Sequence, residues 1–360
     1  MKMKKLKVGI LGATGMVGQR FITLLENHPW FEVSCVAASP SSAGKKYGEA
    51  VKSRWKMQSE IPRKVKDLVV KRVEEDIDEI CKESDFVFSA MDMEKQKIRE
   101  IEETYASRGI PVVSNNSAHR WTEDVPMIIP EINPEHVKLI DIQRKKRRWK
   151  KGFIAVKPNC SIQSYAPIIK ALEHYKPKKV LVTTMQAVSG AGKTLKDWPE
   201  MEENVMPFIK NEEEKSEREP LKILGKLSSG KLKLAKYPEI SATCIRVPVE
   251  NGHMASVDIN MSKNIGKKKF IDAITNYHNP IAKLNLPSSP KEFIKYFGQD
   301  DRPQTRLDRD FGNGMGITVG RLRQNKIFGW KFVALSHNTV RGAAGGAILL
   351  AELLKAKGYL

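Results

Sequence analysis

The stretch Lys7-Val8-Gly9-Ile10-Leu11-Gly12-Ala13-Thr14-Gly15-Met16-Val17-Gly18 decides the fold. Residues 7–11 form an apolar run of strand length, and a helix is expected over 15–27. Glycines at 12, 15 and 18 mark the turn between them. Strand, glycine turn and helix in that order make the first βα junction of a dinucleotide-binding unit. The glycines let the backbone turn tightly and approach a pyrophosphate at the helix N-terminus. The spacing departs from the usual G-x-G-x-x-G, and a merely structural turn is the alternative.

Working outward, strands are expected at 31–38, 85–90 and 111–114, with a charged helix at 94–108. Strands alternating with helices argue for a doubly wound parallel sheet of Rossmann type, an α/β domain. After Cys160 the pattern changes. A helix over 162–175 leads into a β-rich run, 179–188. Strands at 241–249 and 254–260 flank Glu250-Asn251-Gly252-His253. Strands at 317–323 and 327–335 flank a turn at 324–326, and a helix is expected at 267–278. This predicts a second, α+β domain with a mainly antiparallel sheet. The last helix, 340–357, is rich in Gly and Ala, which permit close packing, and is expected to return to the first domain. The division is therefore 1–157 with 338–360, and 158–337.

Composition narrows the function. The chain has 360 residues, 41% of them hydrophobic, enough for two cores. It contains no apolar run of roughly 18 residues, so no transmembrane helix is expected. The basic N-terminus Met1-Lys2-Met3-Lys4-Lys5 lacks the apolar centre of a signal peptide, which points to a cytoplasmic protein. Cys35, Cys81, Cys160 and Cys244 are far apart and form no CxxC, so neither a metal site nor a disulfide framework is expected. Cys35, Cys81 and Cys244 read as small buried hydrophobes. The net charge of +20 raises nucleic-acid binding as a hypothesis. The densest basic run, 144–151, ends a predicted helix, where cations suit the dipole, so a solvated surface is the better reading. A basic surface also attracts phosphorylated substrates and NADPH.

Ala37-Ala38-Ser39-Pro40-Ser41-Ser42-Ala43-Gly44-Lys45 closes the second strand. An NAD-preferring fold places an acid here for the ribose hydroxyls. This loop has no acid, three hydroxyls and a lysine. It therefore favours the 2′-phosphate of NADP, the alternative being ordinary turn serines.

Cys160 stands in the polar turn Pro158-Asn159-Cys160-Ser161, ahead of a predicted helix whose dipole lowers a thiol pKa. A lone Cys is more often core than nucleophile, and the abrupt turn reverses that expectation. A thiolate there attacks an activated acyl group to give a thioester. His253 lies at a bend between strands, where a group titrating near neutrality can take the thiol proton and return one to product. Arg246, seven residues before it, suits a substrate carboxylate, a surface salt bridge being the alternative.

These residues, with Asn116-Ser117-Ala118-His119-Arg120, Pro130-Glu131-Ile132-Asn133, Gln186 to Gly192, Glu219-x-x-Lys222 and His337 to Gly345, make the chain resemble the archaeal and fungal branch of aspartate-semialdehyde dehydrogenases over essentially its whole length. The resemblance implies Cys160 as nucleophile, His253 as acid/base and Gln186 orienting the acyl group. It implies Arg246 on the substrate carboxylate, Glu219 on the ammonium group, and Arg120, Asn116 and Lys222 on the phosphate. For NADP it implies Gly12, Thr14, Gly15, Met16 and Val17, then Ser39, Ser41, Ser42 and Lys45, and Ser189, Gly190 and Asn338 at the nicotinamide end. It also implies a dimer-forming second domain, hence a homodimer or homotetramer acting on a small-molecule substrate. Two departures stand out. Ile162 replaces a common Thr, and Pro220 falls between Glu219 and Lys222, tolerable only in a helix's first turn. A malonyl-CoA or succinyl-CoA type reductase is the nearest rival. N-acetylglutamyl-phosphate reductase and a basic nucleic-acid-binding Rossmann protein are more distant.

Overall fold

A computed structural model describes residues 4–228 and 230–360. Met1 to Met3 of the basic N-terminus therefore lie outside the described residues. Six strands build the first sheet: β1 (Leu6–Leu11), β2 (Phe31–Ala38), β3 (Lys71–Arg72), β4 (Phe86–Ser89), β5 (Val112–Ser114) and β6 (Ile154–Val156). Their order is β3-β2-β1-β4-β5-β6, all parallel. β1 sits centrally because Val8, Ile10 and Leu11 are apolar and both faces of the sheet are covered. The strand order reverses between β1 and β4, which opens a crevice at their carboxyl ends. The glycine turn lies there, leading into the Met16–Leu25 helix.

The second sheet contains β7 (Pro177–Gln186), β10 (Glu239–Arg246), β11 (His253–Met261), β12 (Ile294–Tyr296), β13 (Ile317–Asn325) and β14 (Gly329–Ser336). A short hairpin, β8 (Lys226–Ser228) with β9 (Lys231–Lys233), stands apart. The large sheet runs β10-β7-β11-β14-β13-β12. The strands expected at 241–249 and 254–260 are joined in sequence but are not neighbours in the sheet. β7 lies between them, parallel to β10 and antiparallel to β11. One face of β7 is buried through Val180 and Val182, whereas Leu181 on the other face is 45% exposed. Phe270 of the Lys267–Thr275 helix packs on Trp330 and Phe332 of the covered face.

Two helical expectations change. The helix over 162–175 is three short pieces: a 3-10 turn Ser161–Gln163, an α-helix Ala166–Ala171 and a second 3-10 turn Glu173–Tyr175. Pro167 has no amide to donate to Gln163, so the first turn cannot propagate. Conversely, Pro220 sits deep inside the Glu212–Ile223 helix rather than in its first turn. The carbonyl it leaves without an amide partner, that of Ser216, accepts the Tyr165 hydroxyl at 2.7 Å.

The C-terminal helix, Gly345–Ala356, is buried through Leu354 and shares a core with Phe21 and Ile22 of the first helix and Val113 of β5. A wide i→i+5 turn, Val340–Ala344, introduces it. Two cations of the basic run are paired locally. Arg147 pairs with Asp124 at 2.5 Å and Glu103 at 2.8 Å, and Lys146 with Glu123 at 2.9 Å. Among the described residues no helix is long and apolar enough to cross a membrane.

Candidate active site

The sheet register brings the reactive residues together. β7 ends at Gln186, its parallel neighbour β10 ends alongside at Arg246, and antiparallel β11 begins there at His253. The turn after β6 supplies Cys160 from the first domain's side. Its Sγ lies 3.5 Å from His253 Nε2. The Cys160 turn is clamped. Asn159 donates its backbone N–H to Glu219 at 2.6 Å and its side-chain amide to both oxygens of Glu212 at 3.0 Å. Its side-chain oxygen accepts the Ser161 amide at 3.0 Å.

Ala187, just past β7, ties two catalytic candidates. Its N–H donates to His253 Nδ1 at 3.1 Å, and its carbonyl accepts Arg246 Nη1 at 2.7 Å. Gly190 closes the same corner. A Cβ there would stand 2.8 Å from Arg246 Nη1 and 3.1 Å from His253 Nε2, so a side chain would displace the guanidinium or crowd the ring. Asn338 holds the edge, donating to Ser189 Oγ at 2.8 Å and accepting the Gly252 amide at 2.8 Å.

Electrostatics correct one expectation. Burial raises the Cys160 thiol above its ordinary value, and Glu212 adds to the rise; Lys157, Arg120 and Arg246 oppose it. Only a three-residue 3-10 turn follows the thiol, too short to supply the expected helix dipole. Burial, then Arg246, depresses His253 to about 3.

Two substrate assignments also shift. Both Glu219 oxygens are engaged, one by Arg120 at 2.9 Å and one by the Asn159 amide. Lys222 donates to the carbonyls of Arg120, Thr122 and Val125, and burial lowers it to about 8. This pair therefore braces Arg120; the oxygens of Glu212 are engaged too, but by Asn159 of the thiol turn, Gln186 and Lys215. Two turns earlier on the same helix face, Glu212 touches Asn159 and lies 3.4 Å from Gln186 Nε2. Lys215 pairs with Glu212 at 2.7 Å. Burial pushes the Glu212 carboxyl up, yet Lys215 and Asn159 more than offset it and hold it below the usual range. Sequence reading missed Glu212 and Lys215, although Glu212-x-x-Lys215 repeats the spacing of Glu219-x-x-Lys222. Asn116, just past β5, donates its side-chain amide to Ser89 at 2.8 Å and to Glu102 at 3.2 Å.

The nucleotide crevice fits a dinucleotide. Gly12 has φ +84°, and a Cβ there would strike the Ala90 carbonyl at 2.4 Å. Gly18 packs on the Gly12 carbonyl, where a Cβ would come within 2.3 Å. Gly15 caps the helix, where a Cβ would meet the Gly12 carbonyl at 3.6 Å, and Met16 and Val17 form the first turn after Thr14. Ser39 and Ser41 hydroxyls are 3.0 Å apart, and Lys45 donates to the Ser41 carbonyl at 3.3 Å. Ser42 is fully buried and accepts Arg54 Nη2 at 3.0 Å, which adds a guanidinium that the sequence did not flag. Lys56 reaches Asp197 at 2.6 Å, tying this side to the loop beyond Gly190.

A nucleophilic thiol beside an imidazole, an arginine and a dinucleotide crevice defines a dehydrogenase that works through an acyl-enzyme. Comparison with known proteins agrees. The family described as semialdehyde dehydrogenase, NAD binding domain, matches residues 7–140, and the semialdehyde dehydrogenase dimerisation domain matches 166–341. An aspartate-semialdehyde dehydrogenase of Archaeoglobus fulgidus is 45% identical, over 96% of this chain and 97% of that protein. One from Saccharomyces cerevisiae is 39% identical over 98% of each. The crystal structure of the Candida albicans aspartate-semialdehyde dehydrogenase with NADP superposes with a TM-score of 0.88 at 37% identity, covering 99% of this chain and 100% of that one. The chain belongs to the aspartate-semialdehyde dehydrogenase family.

Proposed function

We infer that the chain catalyses the reversible, NADP-dependent reductive dephosphorylation of L-aspartyl 4-phosphate to L-aspartate 4-semialdehyde, a step toward lysine, threonine, methionine and isoleucine. The observation that carries this reading is the Cys160 Sγ to His253 Nε2 contact of 3.5 Å inside a cradle holding Arg246 and Glu212. Cys160 attacks the acyl carbon, a carbon–sulfur bond forms, and the carbon–oxygen bond to phosphate breaks. Bound NADP supplies or accepts the hydride. Gln186 orients the acyl group. Arg246, with one N–H on Ala187, turns the rest of its fork to the substrate carboxylate.

Glu212 takes the ammonium group, and Lys215 with Arg120 takes the phosphate; Glu219 and Lys222 keep Arg120 in place. Gly12, Thr14, Gly15, Met16 and Val17 hold the pyrophosphate. Ser39, Ser41, Lys45 and Arg54 hold the 2′-phosphate, with Ser42 fixing Arg54. Ser189, Gly190 and Asn338 line the nicotinamide end. Residues 1–157 with 338–360 form the cofactor domain, and 158–337 the catalytic and dimerisation domain.

The half-exposed face of the second sheet, where Leu181 of β7 stands 45% exposed next to the edge strand, suits a homodimer or homotetramer. The acids around the 144–151 run support a protein that binds no nucleic acid, and we place it in the cytoplasm.

A relative named malonyl CoA reductase (NADP), from Metallosphaera sedula, is 37% identical. A buried carboxylate beside the thiol suits an ammonium-bearing substrate better than malonyl-CoA. The test is NADPH formation with aspartate semialdehyde and phosphate, beside malonate semialdehyde and coenzyme A. Cys160→Ser should abolish turnover, and mass spectrometry should find the acyl adduct on Cys160. An adduct on Cys35, Cys81 or Cys244 would sink the mechanism.

A further inference from the structure

Arg341 is buried, and its charge is matched from a distant part of the chain. Nη1 donates to Glu131 Oε1 at 2.9 Å and to the Met315 carbonyl at 2.8 Å, while Nη2 donates to Glu131 Oε2 at 3.2 Å. The Phe293 ring centre lies 4.6 Å from the guanidinium carbon. Glu131 is fully buried, and its carbonyl accepts the Tyr277 hydroxyl at 2.7 Å. Taking two charges out of water costs about as much as their attraction returns, so a buried pair is weak evidence of stability. What a two-point fork does supply is fixed geometry.

Both partners lead to Cys160. The segment before Glu131 runs beside β6. Val156 donates its N–H to the Pro126 carbonyl at 2.9 Å, and Ile128 donates its own to the Val156 carbonyl at 3.0 Å. β6 ends at Val156, and the chain passes straight through Lys157, Pro158 and Asn159 to Cys160. On the other side, Arg341 lies within the wide turn Val340–Ala344. Turns of this i→i+5 kind are rare and cluster at functional sites. Gly342, the next residue, backs the nucleophile so closely that a side chain there would meet Cys160 Cβ and Cα. The contacts close a ring: Cys160, β6, the 126–131 segment, Glu131, Arg341, Gly342 and Cys160 again.

We propose that Arg341 is a positioning residue for the nucleophile: its fork on Glu131 ties the Gly342 turn to the strand that delivers Cys160, and so keeps the Cys160 sulfur 3.5 Å from His253 Nε2. This rests on the thioester reading, in which His253 is the acid/base, and adds a residue that reaches the reaction only through Gly342. Loosening the ring shifts the wall behind the thiol, and a misplacement of about 1 Å can cost about 10²-fold in rate. The loss falls on attack by sulfur. The Gly12–Gly18 turn is not part of the ring, so cofactor affinity is spared.

The test uses the full-length protein and three readouts: the single-turnover rate of Cys160 acylation by aspartyl phosphate, the NADP dissociation constant, and the melting temperature. Arg341→Lys keeps the charge beside Glu131 and loses the fork. Acylation should slow about ten- to a hundredfold while NADP affinity stays within about twofold. An unchanged acylation rate would overturn the proposal, and so would an equal loss of NADP affinity, the mark of general disruption. A second variant removes both charges. Arg341→Met combined with Glu131→Gln replaces the buried pair by neutral groups of similar size, a change that is often neutral or stabilising. Its melting temperature should hold, and acylation should remain at least about tenfold slow. A double variant that melts and acylates like the wild type would show a pair that serves packing alone, and would overturn the proposal. Absence of a Cys160 adduct in the wild type would sink the thioester reading and this proposal together, whereas a wild-type adduct with unaltered variants sinks the proposal alone.

Discussion

Gly342 lies directly against Cys160: a Cβ on Gly342 would stand 2.7 Å from the Cys160 Cβ and 3.2 Å from its Cα. The turn that starts the C-terminal helix is thus the back wall of the nucleophile. Gly342→Ala must displace either the turn or the thiol. Overpacking of this kind costs about 1–3 kcal/mol. The expected outcome is a lower melting temperature and a larger loss in the rate of Cys160 acylation than in NADP affinity. Thermal unfolding, single-turnover kinetics and a cofactor titration check it.

Glu212 and Glu219 should separate when each is changed to glutamine. Glu219→Gln leaves Arg120 buried without its charge partner, and breaking a buried pair costs about 3–5 kcal/mol. Its main effect should be on denaturant midpoint. Glu212→Gln removes a charged partner for the substrate ammonium, worth about 1.5–3 kcal/mol, or roughly ten- to a hundredfold in kcat/KM. Its stability loss should be the smaller of the two, because Lys215 reaches solvent and Arg120 does not. Similar kinetic losses with unchanged stability in both would return the ammonium role to Glu219.

Ser39 is exposed, with its hydroxyl on Ser41. Ser39→Asp sets a carboxylate where the 2′-phosphate is expected. Repulsion between unit charges about 4 Å apart is about 1–4 kcal/mol near a surface, enough for roughly a tenfold or larger fall in NADP-over-NAD preference. Dissociation constants for both cofactors, measured by fluorescence titration, give the answer apart from turnover. Unchanged NADP affinity would remove this loop from the phosphate site.

Lys157 gives a pH-dependent prediction. Burial, and then Arg120, lowers it to about 7, while its Nζ donates to the Pro158 carbonyl. In the unfolded chain a lysine keeps its proton to about pH 10. Between those values the unfolded state holds a proton that the folded state has released, so folding stability rises with pH across that window. Below about 7 both states carry the proton, and the full penalty for a buried ammonium remains. Wild-type stability minus that of Lys157→Met should therefore climb from neutral pH toward pH 10. A flat difference, measured by denaturant unfolding, would show that Lys157 titrates normally.

Much of this was legible in the chain. The first βα junction declares itself because apolar strand, glycine turn and helix are contiguous. Cys160, Gln186, Arg246 and His253 could be picked out because each stands at a strand end or turn, where polarity breaks an apolar run. What failed depends on distant pairing. The short link from β10 to β11 reads as a hairpin, and nothing local shows that β7 lies between them. Glu212 and Glu219 are seven residues apart, nearly two helical turns, so they share a face. Each has a lysine three residues on. Only the partners brought by other elements, Asn159 and Gln186 for one and Arg120 for the other, tell them apart.

The Tyr165 hydroxyl on the Ser216 carbonyl makes two remote positions interdependent. Pro220 leaves a gap in the helix ladder, and a phenol from another segment caps it. The same helix carries Glu212 and Lys215 toward the thiol. A change at Tyr165 is thus judged by what stands at 220, and the reverse, so the pair forms an epistatic unit. The helix that carries Glu212 is thus joined across its gap by a side chain from the segment that follows Cys160.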